Sequence, residues 1–280
     1  MKILLASIVL TAFAFTQANS FQTPVHLTTL HRLAKVGGLK NGNRDIRPKI
    51  TGGTVVGKGL LPFQAGLLSD SQIFCGATII HESYVLTAAT CVDGGQSFTV
   101  YVGETDLKKD ASSRQSVTSH EVISHEKYDP NGFSYDIALI RLPNPLTFNV
   151  YINYISLPPS DSNGNSGDIS GWGSTGNWSI GGDLSPILRY ASVNIISNED
   201  CKIVYGDIIT DSLICTMPKD NKEGACFGDA GGPLVTMFDS GSRLALAGIG
   251  TFANNHGCGV GPDGYTRVST FVDWIKSHIE

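Results

Sequence analysis

Short apolar runs separated by turn-forming residues recur along this chain from residue 50 onward. Clusters rich in Gly, Asp, Asn and Ser, such as Asp93–Gly95 and Ser160–Gly167, lie between these runs and mark turns. Because the runs are short and do not alternate with helices, they predict an all-β fold of antiparallel sandwiches or barrels. The predicted strands are Phe63–Leu68, Ala77–Ile80, Tyr84–Ala88, Ser97–Val102, Ile137–Leu142, Ile187–Ile195, Leu234–Met237 and Leu244–Thr251.

One helix is predicted, at the carboxyl end of the chain, over Thr266–Glu280. Its apolar residues recur at helical spacing on a single face, which we expect to pack on the body of the protein. They are Val268, Phe271, Val272, Ile275 and Ile279.

The first 49 residues differ from the rest of the chain. Residues 1–20 carry Lys2, a short apolar run and small polar residues, the pattern of a signal peptide, so we expect a secreted protein without a membrane span. Residues 21–49 contain six basic residues against Asp45 alone, and residues 50–280 carry a net charge of −11. The basic segment is either a removable pro-segment held partly by charge or a solvated linker. The acidic balance argues against nucleic acid as a partner.

All six cysteines lie in the body, at positions 75, 91, 201, 215, 226 and 258. In a secreted chain they indicate disulfides, although spacing alone leaves 15 pairings open. No C-x-x-C pair supports a zinc site, and we expect neither a metal nor a cofactor.

Four segments occur in an order that resembles the chymotrypsin-like serine proteases: ITGG at 50–53, LTAATC at 86–91, YDIALIRL at 135–142 and CFGDAGGPL at 226–234. The resemblance covers residues 50–280. It implies two six-stranded antiparallel barrels, an active site in the cleft between them and a terminal helix. It also implies the pairs Cys75–Cys91, Cys201–Cys215 and Cys226–Cys258.

The chain departs from the family at two of the three catalytic positions. Thr90 stands where the family has its histidine base and Ala230 where it has its serine nucleophile, whereas Asp136 is retained. Acyl transfer needs a hydroxyl nucleophile and a base that titrates near neutrality. The sequence therefore predicts a protein that is not an enzyme. The alternatives are altered hydrolytic chemistry based on Thr90, or a residual trypsin-like peptidase activity.

The resemblance also places the specificity pocket, at Gly224, Thr251, Phe252, Ala253 and Asp263. Side chains at Ala253 and Asp263, where the family commonly has glycine, favour an obstructed or reshaped pocket over one for basic residues. Asp263 either places a carboxylate inside the pocket or occupies a turn.

The junction between Lys49 and Ile50 resembles the activation site of the family. Cleavage after Lys49 would free the amine of Ile50 to pair with Asp229, ordering the backbone amides of Gly228 and Ala230, the family's oxyanion hole. The alternative is that this switch is merely inherited. Asn177 begins an N-x-S glycosylation sequon, used or unused.

Among related groups, the chain is most similar to the inactivated serine protease paralogues of the scabies mite, within the lineage of mite trypsin-type allergens. That similarity implies a monomer secreted into the gut lumen that binds host plasma or complement proteins. An immune cofactor of the clip-domain type is disfavoured because no cysteine precedes Cys75.

Overall fold

A computed structural model describes residues 25–26, 50, 52–109, 113–159, 161, 164–174, 184–220, 223–254 and 256–279. Most of the described residues that form regular structure are in strands. The strands are Val25–His26 (β1), Thr54–Val55 (β2), Gln64–Ser69 (β3), Ile73–His81 (β4), Tyr84–Thr87 (β5), Phe98–Val102 (β6), Gln115–Ser119 (β7), Glu121–Ser124 (β8), Ala138–Arg141 (β9), Ser166–Gly171 (β10), Arg189–Ile196 (β11), Leu213–Pro218 (β12), Pro233–Phe238 (β13), Arg243–Ala253 (β14) and Asp263–Arg267 (β15).

The first sheet has the order β7-β6-β3-β4-β5-β9-β8, with every pair antiparallel. Only His120 separates β7 from β8, so these strands behave as one bent strand that joins the two ends of the sheet. In β6, Phe98, Val100 and Val102 are buried and the residues between them are half-buried, as the period of two in a strand requires. The result is a barrel of six effectively continuous strands around an apolar interior.

The second sheet has the order β1-β14-β13-β10-β11-β12-β15, and β14 also pairs with β15. This additional pairing closes a second barrel of six strands, β10 to β15. The two short strands β1 and β2 are additions to it: β1 lies against β14 and β2 against β11. The predicted architecture of two antiparallel barrels is therefore confirmed.

The terminal helix is shorter than predicted. The α-helix α2 covers Val272–His278, and a 3-10 turn covers Val268–Phe271 before it. Thr266 belongs instead to β15, because it pairs with Leu213 and its hydroxyl donates to the Asp136 carbonyl at 2.8 Å. Val268, Phe271 and Ile275 are buried, as the apolar face predicted.

A second helix, α1, covers Asn198–Tyr205 and was not predicted. Ser197 caps its amino end, because its hydroxyl accepts a hydrogen bond from the backbone N–H of Asp200 at 3.0 Å. The disulfide Cys201–Cys215 fastens α1 to β12. The capping serine followed by two acidic residues was the sequence signal that could have identified this helix.

Residues 1–20 lie outside the described part of the chain, as does most of 21–49. No helix of the described residues is long and apolar enough to cross a membrane.

Candidate active-site cleft

The two barrels meet at the loop that carries Ala230. The backbone N–H of Gly76 in β4 donates to the Ala230 carbonyl at 2.7 Å, which joins the first barrel to this loop of the second. The contact is close enough that a Cβ at Gly76 would lie 2.6 Å from the backbone of Gly232. Residue 76 must therefore lack a side chain for the barrels to approach in this way.

The described residues form three disulfides with the pairings that the resemblance implied, Cys75–Cys91, Cys201–Cys215 and Cys226–Cys258, and the first and third lie beside the cleft. Cys75–Cys91 links β4 to the 3-10 turn Ala89–Cys91, which contains Thr90. Cys226–Cys258 fastens the start of the loop that leads to Ala230. A disulfide-bonded cysteine therefore lies close in sequence to each of Thr90 and Ala230.

Thr90 and Asp136 form a hydrogen-bonded pair. The backbone N–H of Thr90 donates to Asp136 Oδ1 at 2.8 Å, and the Thr90 hydroxyl donates to Oδ2 at 3.3 Å. Asp136 is fully buried, and burial raises the pKa of its carboxyl to about 7 although hydrogen bonds from Thr90 act to lower it. In the described residues, no histidine donates to or accepts from this carboxylate.

Ala230, which the sequence analysis assigned to the position of the family's nucleophile, is fully buried. The backbone around it has the curvature of a tight turn, with Gly228 at φ 94° and Gly231 at φ 76°. Within the described residues, the N–H groups of Gly228 and Ala230 donate to no protein acceptor. The main-chain donors that the family resemblance assigned to the oxyanion hole are therefore free to donate hydrogen bonds to a ligand oxygen.

A chain of contacts brings the three triad positions together. The Gly231 N–H donates to the Gly250 carbonyl at 2.8 Å, and the Gly250 N–H donates to the Gly232 carbonyl at 2.9 Å. The next residue, Thr251, shares a hydrogen bond with Thr266, whose hydroxyl also contacts the Asp136 carbonyl. The loop of Ala230 is thus connected through β14 to the Thr90–Asp136 pair.

Asp229 is a buried carboxylate held by main-chain donors. Its Oδ1 accepts from Gly173 N–H at 2.8 Å and its Oδ2 from Cys226 N–H at 2.9 Å. Burial raises its pKa to about 7. Ile50 is buried as well, and it lines one small cavity together with Asp229. The structure therefore brings Ile50 and Asp229 together, whereas Lys49 lies outside the described residues, as does Asn177.

The five predicted pocket residues are all buried. Phe252 does not face an open cleft, since its ring packs on Phe133 and Tyr205 with centroids 4.8 and 5.4 Å away. Asp263 is in β15 and not in a turn. Its Oδ2 accepts from Ala225 N–H at 3.1 Å and would lie 3.1 Å from a Cβ at Gly224. The carboxylate thus lies behind Gly224, and burial raises its pKa to about 8.

Sequence reasoning missed one contributor to the site, Gly173, whose N–H donates to Asp229. Thr251 was predicted for the pocket, but its hydrogen bond with Thr266 was not. The described residues contain no group of three or more His, Cys, Asp or Glu arranged to hold a metal ion.

Comparison with known proteins identifies relatives over most of the chain. The trypsin family profile matches residues 50–275. Brachyurin from Leptuca pugilator is 37% identical over 230 residues, 81% of this chain and 97% of that protein. Trypsin-1 from Astacus astacus is 37% identical over 242 residues, 82% and 99% of the two chains. Serine protease SP24D from Anopheles gambiae is 34% identical over 280 residues, 91% and 96%.

These relatives contradict the prediction that the chain is not an enzyme. They are named as proteases, which points to protease activity in proteins of this similarity. The prediction rested on the side chains at Thr90 and Ala230, whereas the comparisons measure similarity over the whole domain. Fold, disulfides and the match over residues 50–275 agree with each other, and the chain belongs to the trypsin family.

Proposed function

We propose that this chain is a secreted member of the trypsin family that acts by binding other proteins at its cleft. One observation carries the proposal: the main chain of the cleft is intact, although the side chain at position 230 is a methyl group. The free N–H groups of Gly228 and Ala230 are suited to hold a carbonyl oxygen of a bound polypeptide. The disulfide Cys226–Cys258 restrains the start of the loop that carries those groups, and Cys75–Cys91 restrains the facing barrel, without a ligand.

Plasma proteins, and complement proteins in particular, are the partners we propose. The similarity of the sequence to the scabies mite paralogues supports this choice, as does the predicted signal peptide. Residues 50–280 carry 13 basic and 24 acidic residues, so a partner with a basic contact surface would be favoured electrostatically. A gut-secreted monomer that protects the organism secreting it from ingested host complement fits these features.

The test uses the chain after cleavage at Lys49, coupled to resin and exposed to serum. Protein in which the three disulfides have been reduced and alkylated is the matched control, because it has the same composition and charge without the fold. We expect the folded protein to retain complement components that the control does not, and to reduce haemolysis by the same serum. Equal retention by both samples together with unchanged haemolysis would overturn the proposal.

A second candidate function is peptide hydrolysis with Thr90 as nucleophile, the kind of activity to which the names of the relatives point. The observation that favours it is the Thr90 Oγ1 to Asp136 Oδ2 hydrogen bond, with a carboxyl pKa near 7. The hydroxyl would attack the substrate carbonyl carbon and its proton would pass to Asp136. Asp136 would give that proton to the leaving amine as the C–N bond breaks, and water would then hydrolyse the acyl-enzyme that remains. The oxyanion would accept hydrogen bonds from Gly228 and Ala230.

Two variants separate this candidate from binding. Thr90→Val removes the hydroxyl at constant shape, and Thr90→Ser retains it. If Thr90 is the nucleophile, a fluorophosphonate reagent labels the wild type and Thr90→Ser but not Thr90→Val, and peptide cleavage follows the same order. Equal cleavage by wild type and Thr90→Val would exclude the mechanism.

A further inference from the structure

A cluster of aromatic and ionisable side chains joins the terminal helix α2 to the first barrel. It lies between α2 and the loop 125–137, which connects β8 to β9. The His125 ring is at its centre and faces three aromatic rings with centroids 4.9 to 5.2 Å away, those of Tyr135, Phe271 and Trp274. The His125 side chain is 10% exposed. An imidazole thus forms the centre of the contact between this loop and the helix.

Glu126 faces residues on both sides of this contact. Its Oε1 accepts a hydrogen bond from the Trp274 indole N–H at 3.2 Å and lies 4.0 Å from His278 Nε2. Its Oε2 lies 3.5 Å from His125 Nδ1. Hydrogen bonds from its own backbone N–H and from Trp274 hold the pKa of Glu126 below its usual range. Glu126 is therefore a carboxylate across the pH range in which histidines titrate.

The hydrogen bonds of the two histidines determine which ring nitrogen carries the hydrogen. The Lys127 backbone N–H donates to His125 Nδ1 at 3.1 Å, so this nitrogen is the acceptor of a neutral ring. His278 Nδ1 lies 2.8 Å from the Trp274 carbonyl, which can only accept, so here Nδ1 carries the hydrogen. Acid would add a proton to His125 where a hydrogen bond is lost, and to His278 where Glu126 is gained. The two histidines therefore respond to acid in opposite ways.

A charged His125 is unfavourable in this contact. Within the described residues, the ionisable side chains that face its ring are Glu126, Lys127 and Tyr135 from the loop and His278 from α2. Burial lowers the pKa of His125 below its ordinary 6.5, Glu126 acts to raise it, and the cations of Lys127 and His278 act to lower it. A histidine with a lowered pKa stabilises the folded arrangement above pH 6.5, and this stabilisation is lost as the pH falls through the lowered value.

We propose that His125, Glu126, Trp274 and His278 form an acid-sensitive latch, which holds α2 against the loop 125–137 and opens when His125 gains a proton. The protonated ring can no longer accept from the Lys127 N–H, and its charge is buried among aromatic rings. The latch does not depend on the function proposed above.

The loop connects the latch to the cleft. Tyr135 has a φ of 59°, a left-handed conformation that a non-glycine residue keeps only where its surroundings hold it. Its ring packs on those of His125 and Phe271, with centroids 4.9 and 5.8 Å away. The next residue is Asp136, whose carboxylate accepts from the Thr90 N–H. Opening of the latch would therefore release Tyr135 and shift the Thr90–Asp136 pair.

NMR spectroscopy of the full chain from about pH 7.5 to about pH 4.5 tests the latch. The Trp274 indole N–H donates to Glu126 in the closed latch, so its resonance reports on closure. We expect this resonance to titrate with the midpoint of the His125 ring, and hydrogen-exchange protection in α2 to fall about ten-fold over the same range. An indole resonance that does not follow the His125 titration, together with constant protection in α2, would overturn the proposal.

Two variants remove the titrating group in different ways, so that one remains as a test if the other does not fold. His125→Asn keeps an acceptor for the Lys127 N–H, and His125→Phe keeps an aromatic ring in the cluster. We expect protection in α2 to stay constant across the pH range in each folded variant. A ten-fold fall in either of them would overturn the proposal.

His81→Asn is the matched control. His81 Nδ1 also accepts the N–H of the residue two positions further on, Ser83, at 3.2 Å, and its ring faces Tyr84 in β5. This variant should show the same fall in α2 protection as the wild type. Constant protection in His81→Asn would mean that the acid response does not come from His125.

His278→Gln tests the opposite response of the second histidine. The substitution removes a cation that opposes protonation of His125 and removes a partner of Glu126. We therefore expect the latch to open at a higher pH than in the wild type. Opening at a lower pH would contradict the assigned roles of the two histidines.

The Thr90 amide resonance tests whether the latch acts on the cleft. We expect one of its transitions to share the midpoint of His125 and to be absent from His125→Phe, apart from any transition that Asp136 itself causes. A Thr90 amide that titrates identically in the wild type and His125→Phe would show that the effect of the latch ends at Tyr135.

Discussion

The two walls of the cleft are built in different ways. The wall from the first barrel depends on side chains, since Thr90 and Asp136 are joined through both carboxylate oxygens. The wall from the second barrel depends mainly on backbone groups, since Gly228, Asp229 and Ala230 are positioned by a left-handed glycine and by main-chain N–H groups that donate to the Asp229 carboxylate. The comparison teaches that the second wall takes its shape with only a methyl group at position 230, whereas the first wall depends on the contact between the Thr90 and Asp136 side chains.

A substitution in the backbone-built wall should have the largest effect. Gly231→Ala places a Cβ against the Thr87 hydroxyl and the Gly76 carbonyl, at a residue with φ 76°. We expect a loss of about 3 kcal/mol or more in the free energy of unfolding, from overpacking and backbone strain together. Denaturant unfolding monitored by fluorescence measures it.

Gly94→Ala is the matched control, because Gly94 also has a positive φ of 69° but a Cβ there meets no described atom within 4 Å. The loss in its free energy of unfolding should be that of the left-handed conformation alone, about 1 kcal/mol. Equal losses for the two variants would show that the wall is not tightly packed.

The second wall should also govern the pH dependence of stability through Asp263. Burial raises the pKa of Asp263 in the folded protein to about 8, well above its ordinary value of 3.8. The folded state then holds the Asp263 proton more tightly than the unfolded state does. The stabilisation from the protonated carboxyl is therefore complete below pH 4 and is lost as the pH rises to 8.

Asp263→Asn keeps an acceptor for the Ala225 N–H and cannot ionise. We expect the fall in unfolding free energy between pH 4 and 8 to be smaller in this variant, by on the order of 2 kcal/mol. A fall of the same size in both proteins would mean that Asp263 does not ionise across this range.

The side-chain-built wall should respond more mildly. Thr90→Val removes the hydroxyl donor to Asp136 but leaves the Thr90 N–H bond to Oδ1, so the carboxylate retains one partner. We expect a cost of about 1 kcal/mol in the free energy of unfolding, with Thr90→Ser close to the wild type. Equal stability of Thr90→Val and Thr90→Ser would show that the hydroxyl contributes nothing to this wall.

The sequence was informative where strands are apolar and less so where they are polar. The strands from β3 to β6, and β9, β11, β13 and β14, coincide with predicted runs, although most ends differ by a few residues. The strands β10 and β15 were missed because SGDISG and DGYTR contain glycine and aspartate, typical of turns. There the barrel imposes strand geometry that local preference opposes. The strands β7, β8 and β12 were missed as well, and β12 is buried and largely apolar.

Some features of the candidate site could also be predicted from the sequence, and others could not. The triad positions could be predicted because each lies in a continuous motif, and their assignment stays a prediction. The burial of Phe252 against Phe133 and Tyr205 could not be predicted, since these residues are far apart in sequence. The pairing of Val25–His26 with the end of β14 was equally beyond prediction, because two residues carry no strand signal and the partner edge exists only in the closed barrel.

The central claim, that the cleft serves protein binding, is tested most directly by titrating serum complement with the cut chain and measuring haemolysis at several incubation times. Binding predicts that inhibition depends on the molar ratio, reaches its full extent within the time of association, and leaves the complement proteins at their intact masses. Inhibition that grows with time at substoichiometric protein and yields complement fragments would contradict the account, as would haemolysis that does not change at all.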